Sequence, residues 1–208
     1  MMLFGCKFDL VFSVGEDCSA AMHLRQAGLR DRSSPFDWIC HASFMTPFDL
    51  LVKAPGAADF TRQVTADGVA VSLGHMAAAA PEEIAPLAAA GAKAFTHLGN
   101  GIPNEVNRHD NIVYTALVED RASVMFIPDG HHLPDTMLKL YTRAVPLKRL
   151  IAVSDAQYPA GMPPGEYEVC GAHARLEPNG LLWNPARNCL VGATTPIAKC
   201  MEILRERV

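Results

Sequence analysis

The stretch Phe8-Asp-Leu-Val-Phe-Ser-Val-Gly-Glu-Asp-Cys18 combines the features that decide the predicted fold. Residues 10–14 form a short apolar run, rich in β-branched and aromatic side chains, of the kind that becomes a buried strand. Gly15 permits a sharp turn, and Asp17 is a favourable N-cap for a following helix. The stretch therefore predicts a strand, a tight turn and a helix whose first turn carries the thiol of Cys18.

Segments typical of strands and of helices alternate through the rest of the chain. The strand-like segments are residues 69–73, 94–97, 123–128 and 149–154, and helices are predicted from Thr46, over 81–90, 107–120 and 133–145, and from Thr195. This alternation predicts an α/β fold of three layers, in which a mainly parallel sheet is flanked by helices. Residues 167–176 and 181–183 predict a C-terminal β-hairpin at the edge of that sheet.

Composition narrows the class of protein. The 208 residues, half of them hydrophobic, fit a single α/β domain over 1–208, which at this size buries roughly 70% of its unfolded surface. Eighteen basic and twenty-two acidic side chains give a net charge of −4, and no segment concentrates lysine or arginine beside aromatic residues. A nucleic-acid partner is therefore not expected. The oligomeric state is left open.

The cysteine spacing and the hydropathy of the chain indicate its cellular location. The six cysteines are irregularly spaced and form no Cys-x-x-Cys pair, which favours reduced thiols and a cytoplasmic location. No apolar run approaches the roughly 20 residues that a membrane-spanning helix needs. We therefore expect no membrane partner.

A family resemblance extends the first motif. Val14-Gly-Glu-Asp-Cys18, the pairs Leu24-Arg25 and Leu29-Arg30, and Ser34-Pro-Phe-Asp-Trp38 resemble a bacterial domain of unknown function described as a papain-like cysteine peptidase. The match is specific over residues 8–39 and loose beyond them. Asp17 stands where that family usually carries asparagine, so this position is a candidate contact for the substrate.

The resemblance implies a thiol-dependent hydrolase or acyltransferase in which Cys18 attacks a carbonyl carbon of a small-molecule or peptide-like substrate. Such chemistry requires no cofactor. The alternative is a non-catalytic binding or accessory protein that holds a small molecule in the cleft where the hydrolase would bind its substrate. Cys18 would then have no chemical role.

The predicted topology indicates which polar residues lie near that cleft. Ligands of open α/β sheets bind beyond the carboxyl ends of the strands. The residues that leave those ends are Cys18, His97, Asp129 with His131 and His132, and Asp155. We expect Asp129 and His131 to contact the substrate.

His97 is the preferred base for Cys18. It ends a predicted strand and precedes Gly99-Asn-Gly101, a turn whose backbone, with Asn100, could donate hydrogen bonds to the substrate. Asp37 would orient the base or bind substrate, although an anchoring role in its own loop is equally compatible with its position. His109-Asp110 is a competing assignment for the base.

Two further arrangements remain open. His173 and Asn184 follow the papain order of cysteine, histidine and asparagine, and would face each other across adjacent strands of the hairpin. Asp129, His131 and His132 would serve a metal-dependent enzyme. No second cluster has an established ligand spacing, so no metal site is predicted.

Overall fold

The computed structural model describes residues 2–3, 6–7, 56–76, 81–169 and 171–208. The predicted strand over 10–14 and the predicted helix from Thr46 lie outside these residues, as do three of the site candidates: Asp17, Cys18 and Asp37. Two compact units make up the chain, Met1–Ser123 and Val124–Val208.

Helices and short strands alternate in the first unit. Its elements are β1 (Met2–Leu3), β2 (Cys6–Lys7), α1 (Ala57–Ala66), β3 (Ser72–Leu73), α2 (Pro81–Ala89), β4 (Ala94–Phe95) and α3 (Ile112–Val118). β1 and β2 pair antiparallel, whereas β3 and β4 pair parallel. Helix α1 packs against α2, and α2 packs against α3. Large apolar side chains of this unit are buried in the core, among them Ile84 of α2, Phe95 of β4 and Leu98 in the turn after β4.

Local residues determine where helix α2 ends and where helix α3 begins. Helix α2 ends before Gly91, whose φ of 116° is left-handed backbone that a side chain rarely adopts. Helix α3 begins later than predicted because the Asn107 side chain accepts hydrogen bonds from the amides of His109 and Asp110 and holds them in a turn. Asn111 then caps the helix, since its Oδ1 accepts hydrogen bonds from two first-turn amides.

The parallel sheet confirms the predicted α/β class. Strand β5 (Ser123–Phe126) and strand β6 (Leu150–Ala152) pair parallel, and the sheet has four strands in the order β3-β4-β5-β6 with helices flanking it. All four strands fall inside segments that the apolar pattern predicts. The strands are shorter than those segments.

The second unit adds an antiparallel sheet. Its remaining elements are α4 (Asp135–Ala144), a 3₁₀ turn (Leu147–Arg149), β7 (Gly165–Val169), β8 (Ala172–Leu176), β9 (Leu182–Asn184), β10 (Cys189–Leu190) and α5 (Ile197–Arg207). Strands β7 to β10 form a separate sheet in the order β10-β9-β8-β7. One of its faces packs around Val169, Ala174, Leu176 and Leu182.

The predicted hairpin is more elaborate than its sequence pattern indicates. Residues 167–176, predicted as one strand, lie on two antiparallel strands, because Gly171 at φ 73° allows the chain to reverse between β7 and β8. The turn at Pro178-Asn-Gly180 joins β8 to β9. Among the described residues, no helix is long and apolar enough to cross a membrane.

Candidate active site

Two histidines follow neighbouring strands of the first unit. The parallel register pairs Leu73 of β3 with Phe95 of β4, and each strand is followed by one residue and then a histidine, His75 and His97. Because carboxyl ends of adjacent parallel strands meet at one edge, this register brings the two histidines together. Their ring centroids are 4.7 Å apart and their planes are inclined at 70°.

Both histidines have left-handed backbone. The φ angle is 47° at His75 and 32° at His97, a conformation that residues other than glycine rarely adopt. Such a residue costs on the order of 1–3 kcal/mol and persists where the surrounding structure imposes it. Strain of this kind concentrates at functional sites, so its occurrence at both members of one pair marks this edge as a candidate site.

Small residues surround the histidine pair. A Cβ added at Gly101, whose φ is 65°, would lie 2.8 Å from Nδ1 of His75 and 3.0 Å from its Cα. A Cβ at Gly74 would lie 3.0 Å from Cβ of Thr96. The hydroxyls of Thr96 and Ser72 are hydrogen-bonded at 2.6 Å, which ties the ends of β3 and β4 together. The imidazoles are therefore positioned by close packing against backbone.

The turn after His97 is held by Asn100. Its backbone amide and its side-chain Nδ2 both donate hydrogen bonds of 3.0 Å to the carbonyl of His97. The amide group predicted to contact substrate therefore stabilises the turn that carries His97. The His97 ring itself is buried, with the residue 8% exposed.

A second polar cluster lies in the second unit, between β5 and α4. Oδ2 of Asp129 is 2.7 Å from Nδ1 of His132, and the two side chains are 1% and 5% exposed. Oδ1 of Asp129 accepts hydrogen bonds of 2.9 Å from the backbone amides of both His131 and His132. One carboxylate thus holds the loop and one imidazole.

The ionised form of Asp129 is favoured by these contacts. Burial alone would raise the pKa of its carboxyl, but the hydrogen bonds and charge of His132, with the amide of His131, outweigh burial and hold the pKa below its usual value. The adjacent His131 ring faces a different partner, since its Nε2 lies 3.2 Å from the carbonyl oxygen of Asn179. Of these two imidazole rings, that of His132 is the one in contact with the buried carboxylate.

Asp155 shares one feature with the histidine pair. It follows strand β6 in the second unit and has a φ of 51°, again left-handed backbone at a non-glycine residue. Its carbonyl oxygen accepts a hydrogen bond of 2.9 Å from the amide of Ala193, which fixes the backbone there. The sequence placed Asp155 at a strand end, and the structure agrees with that placement.

The papain-like pair is not brought together. In the antiparallel register, Arg175 lies opposite Trp183, and side chains alternate between faces along each strand. His173 therefore shares a face with Arg175 and Trp183, whereas Asn184 points to the opposite face. His173 is exposed, and its Nε2 lies 2.8 Å from Oε2 of Glu166. Asn184 is buried, and its Oδ1 accepts a hydrogen bond from the backbone amide of Arg187.

The donor set of the histidine pair suits a transition metal. Two neighbouring imidazoles are ligands that zinc accepts, although catalytic zinc usually takes three protein ligands. Over the described residues, no group of three or more histidine, cysteine, aspartate or glutamate side chains is arranged to hold a metal ion. His75 and His97 thus supply two imidazoles, one fewer than the three protein ligands that catalytic zinc usually takes.

One of these residues, His75, was missed from the sequence, and another, His132, was given only a role shared with Asp129 and His131. His75 was overlooked because its strand was predicted to end at residue 73, two residues before the histidine, yet Leu73-Gly-His75 parallels Phe95-Thr-His97 in spacing from the strand end. His132 was named in the metal-dependent alternative, but its contact with Asp129 was not predicted. Its signal was the spacing Asp129-x-x-His132, which lets a carboxylate meet the third residue after it across one turn.

Comparison with known proteins gives a consistent result. The chain is 31% identical over 148 residues to N-acetylgalactosamine-6-phosphate deacetylase of Escherichia coli O157:H7, covering 71% of this chain and 38% of the relative. It is 32% identical over 134 residues to N-acetylglucosamine-6-phosphate deacetylase of Vibrio furnissii, covering 64% of this chain and 33% of the relative. The chain therefore spans little more than a third of these relatives. No protein-family model matches the chain.

A solved structure supports the same relationship. The N-acetyl-D-glucosamine-6-phosphate deacetylase of Mycobacterium smegmatis, in a D267A mutant complex with N-acetyl-D-glucosamine-6-phosphate, superposes with a TM-score of 0.67 at 25% identity. The superposition covers 73% of this chain and 39% of that one. Sequence and fold thus point to the same group of proteins.

These findings overturn the cysteine-peptidase interpretation. The resemblance to a papain-like peptidase rested on residues 8–39, which lie outside the described residues, whereas the deacetylase match extends over 148 residues. The assignment of the protein as a thiol-dependent hydrolase or acyltransferase, with Cys18 as nucleophile, is therefore wrong. A short motif around one thiol carries less information than agreement of sequence and fold over most of the chain.

Proposed function

We propose that this protein belongs to the N-acetylhexosamine-6-phosphate deacetylases and acts on the acetamide group of such a sugar phosphate. The observation that carries the proposal is the His75–His97 pair, strained and closely packed at the carboxyl ends of two parallel strands. The chain is similar to deacetylases of N-acetylglucosamine 6-phosphate and of N-acetylgalactosamine 6-phosphate, which supports the class of reaction. It does not favour one epimer.

The proposed reaction is hydrolysis of an amide. Water adds its oxygen to the acetyl carbon, the carbon–nitrogen bond breaks, and acetate and the amino sugar phosphate are formed, with the proton of water passing to the leaving nitrogen. An uncharged amide is a poor electrophile, so its carbonyl oxygen must be polarised. A divalent cation held by His75 and His97 would supply that polarisation.

The residues of the chain contribute geometry to this reaction. His75 and His97 present imidazole nitrogens from positions that the β3–β4 register sets, and the Gly101 backbone packs against the ring of His75. Asn100 holds the turn on which His97 lies. Because the surroundings are close-packed, the two rings lose little freedom when a cation or substrate binds, which favours binding.

Proton NMR of the released acetate provides the test. The purified chain would be incubated with zinc and either N-acetylglucosamine 6-phosphate or N-acetylgalactosamine 6-phosphate. We expect acetate to appear, and His97→Gln to reduce its rate at least about 100-fold. His173→Gln is the matched control, because His173 is an exposed histidine paired with Glu166 on the antiparallel sheet.

Two outcomes would contradict the proposal. Saturable binding of the sugar phosphate without acetate release would show that this chain binds the ligand but lacks deacetylase activity. Equal losses in His97→Gln and His173→Gln would show that the histidine pair has no special role.

A further inference from the structure

Asp155, which follows β6, has a strained backbone that a neighbouring segment holds in place. Its φ of 51° is a left-handed conformation that persists at a non-glycine residue only where the surroundings impose it. The backbone amide of Ala193 donates a hydrogen bond of 2.9 Å to the carbonyl of Asp155, and the amide of Gln157 donates one of 2.8 Å to the carbonyl of Ala193. These bonds form a parallel bridge between Ala156 and Ala193. The chain is therefore held at Asp155 and just after it.

Gly192 allows the two segments to approach this closely. Its own φ is 67°, and an added Cβ would overlap Cγ of Gln157 and lie 3.1 Å from the carbonyl oxygen of Asp155. A residue with a side chain would push the segment away from the end of β6. The close contact therefore depends on glycine at this position.

Thr194 ties the same segment to the antiparallel sheet. It is buried, and its hydroxyl donates a hydrogen bond of 2.7 Å to the carbonyl of Gly180, in the turn between β8 and β9. That turn is closed by its own hydrogen bonds, from the amide of Gly180 to the carbonyl of Glu177 and from the amide of Leu181 to Oδ1 of Asn179. The segment after β10 is thus attached to a closed turn on one side and to the end of β6 on the other.

We propose that residues 192–194 form a brace that imposes the left-handed backbone of Asp155, and that Thr194 anchors this brace to the β8–β9 turn. The antiparallel sheet thereby sets the direction in which the Asp155 side chain leaves the end of β6. Ligands of α/β sheets bind beyond such strand ends, so the brace positions a carboxylate of that region. All of these contacts lie within the second unit, and the proposal does not rest on the proposed deacetylase function.

NMR of the ¹³C- and ¹⁵N-labelled protein tests the anchor. Thr194→Val keeps the shape of the side chain but removes the hydroxyl that bonds to Gly180. We expect the amides of Ala193 and Gln157 to exchange with solvent about tenfold faster, because the bridge then opens more often. The Cα and Cβ chemical shifts of Asp155 should also move away from values typical of left-handed backbone. Thr194→Ser retains a hydroxyl and should restore both measurements.

A control variant and a reference amide separate a local effect from a general one. Thr142→Val is the matched control, because the hydroxyl of Thr142 bonds only to carbonyls within α4, and it should leave the amide of Ala193 unchanged. The amide of Val145, which donates to the carbonyl of Tyr141, is the reference for the stability of the unit as a whole. In Thr194→Val, its exchange should change less than about twofold.

A glycine pair tests the brace independently, including the case in which Thr194→Val does not fold. Gly192→Ala places a Cβ against the carbonyl of Asp155, so the Asp155 shifts should change and the amide of Ala193 should exchange faster. Gly161→Ala is its control, because Gly161 has a φ of 83° and an added Cβ meets nothing within 4 Å. It should carry similar backbone strain without affecting Asp155.

Three outcomes would overturn the proposal. Unchanged exchange of the Ala193 amide in Thr194→Val would show that Thr194 is not the anchor. Equal acceleration of the Ala193 and Val145 amides would show that the hydroxyl contributes only to general stability. Left-handed shifts of Asp155 that persist in both Thr194→Val and Gly192→Ala would show that the brace does not impose this backbone. None of these measurements depends on release of acetate.

Discussion

His75 and His97 face each other at the carboxyl ends of two parallel strands, with ring centroids 4.7 Å apart. Each is the second residue after its strand, so the pairing of Leu73 with Phe95 places one histidine beside the other. A shift of the register by one residue would separate them and turn alternate side chains to the other face. The register of a two-residue strand pair therefore sets the contact between the two histidines.

We predict that Gly101→Ala displaces the His75 ring. The new Cβ would lie 2.8 Å from Nδ1 and 3.0 Å from the His75 Cα, and backbone cannot move away as a flexible side chain could. Zinc affinity, measured by isothermal titration calorimetry, should fall at least about tenfold, as expected when a neighbour of the metal ligands is changed.

Gly68→Ala is the control for that substitution. Gly68 also has left-handed backbone, at φ 86°, but an added Cβ meets nothing within 4 Å. Backbone strain should cost each variant about 1 kcal/mol of stability, and Gly101→Ala also has the close contact with His75. Gly68→Ala should bind zinc as the wild type does. Equal affinities in both variants would contradict the packing argument.

We predict that zinc binding depends on both members of the pair. His75→Gln and His97→Gln should each weaken zinc binding at least about tenfold, because each removes one of two imidazole ligands. Titration calorimetry in a chelator-free buffer measures this. His173→Gln should leave the affinity unchanged, since that ring lies on the exposed face of β8 beside Glu166; retention of full affinity in His75→Gln would exclude a two-histidine site.

The pH dependence of the free energy of unfolding should reveal the ionisation of Asp129. Its pKa is lower in the folded protein than in the unfolded chain, so its contribution is present above the unfolded value of about 4 and is lost as pH falls through the folded pKa. Urea unfolding of wild type and Asp129→Asn should therefore differ most above pH ~4, with the wild type more stable, and converge at lower pH. A constant difference at all pH values would show that the carboxylate is not ionised preferentially in the fold.

Removal of the Asn111 cap should destabilise the first unit. Asn111→Ala loses the acceptor for the amides of Val113 and Tyr114, which costs about 1 kcal/mol in comparable helices. Asn111→Asp should retain most of that stability, because aspartate is an equally good N-cap. Chemical denaturation of the wild type and the two variants measures their relative stabilities. If Asn111→Asp were as unstable as Asn111→Ala, the loss would come from the hydrogen bond that Nδ2 of Asn111 donates to the carbonyl of Asn107, and not from the cap.

The single-domain organisation over residues 1–208 remains a prediction, and so do the roles assigned to Asp17 and Asp37, which lie outside the described residues.

Alternation of apolar segments predicted all four strands of the parallel sheet and most of its helices, because burial of strands and helix faces imposes a periodic pattern on the sequence. Helix α1 was missed because its first turn lacks a capping side chain, with Gly56 at the N-cap position. Its start therefore carried no local signal.

The sequence alone determined the α/β class, the approximate positions of the strands, and the presence of polar residues near their carboxyl ends, since these depend on neighbours along the chain. Only the tertiary structure decided that His97 pairs with His75, because that contact depends on the register between strands that are distant in sequence. It also decided that His173 and Asn184 point to opposite faces of the antiparallel sheet. Partner choice is set by register and packing, and a motif read along one segment contains neither.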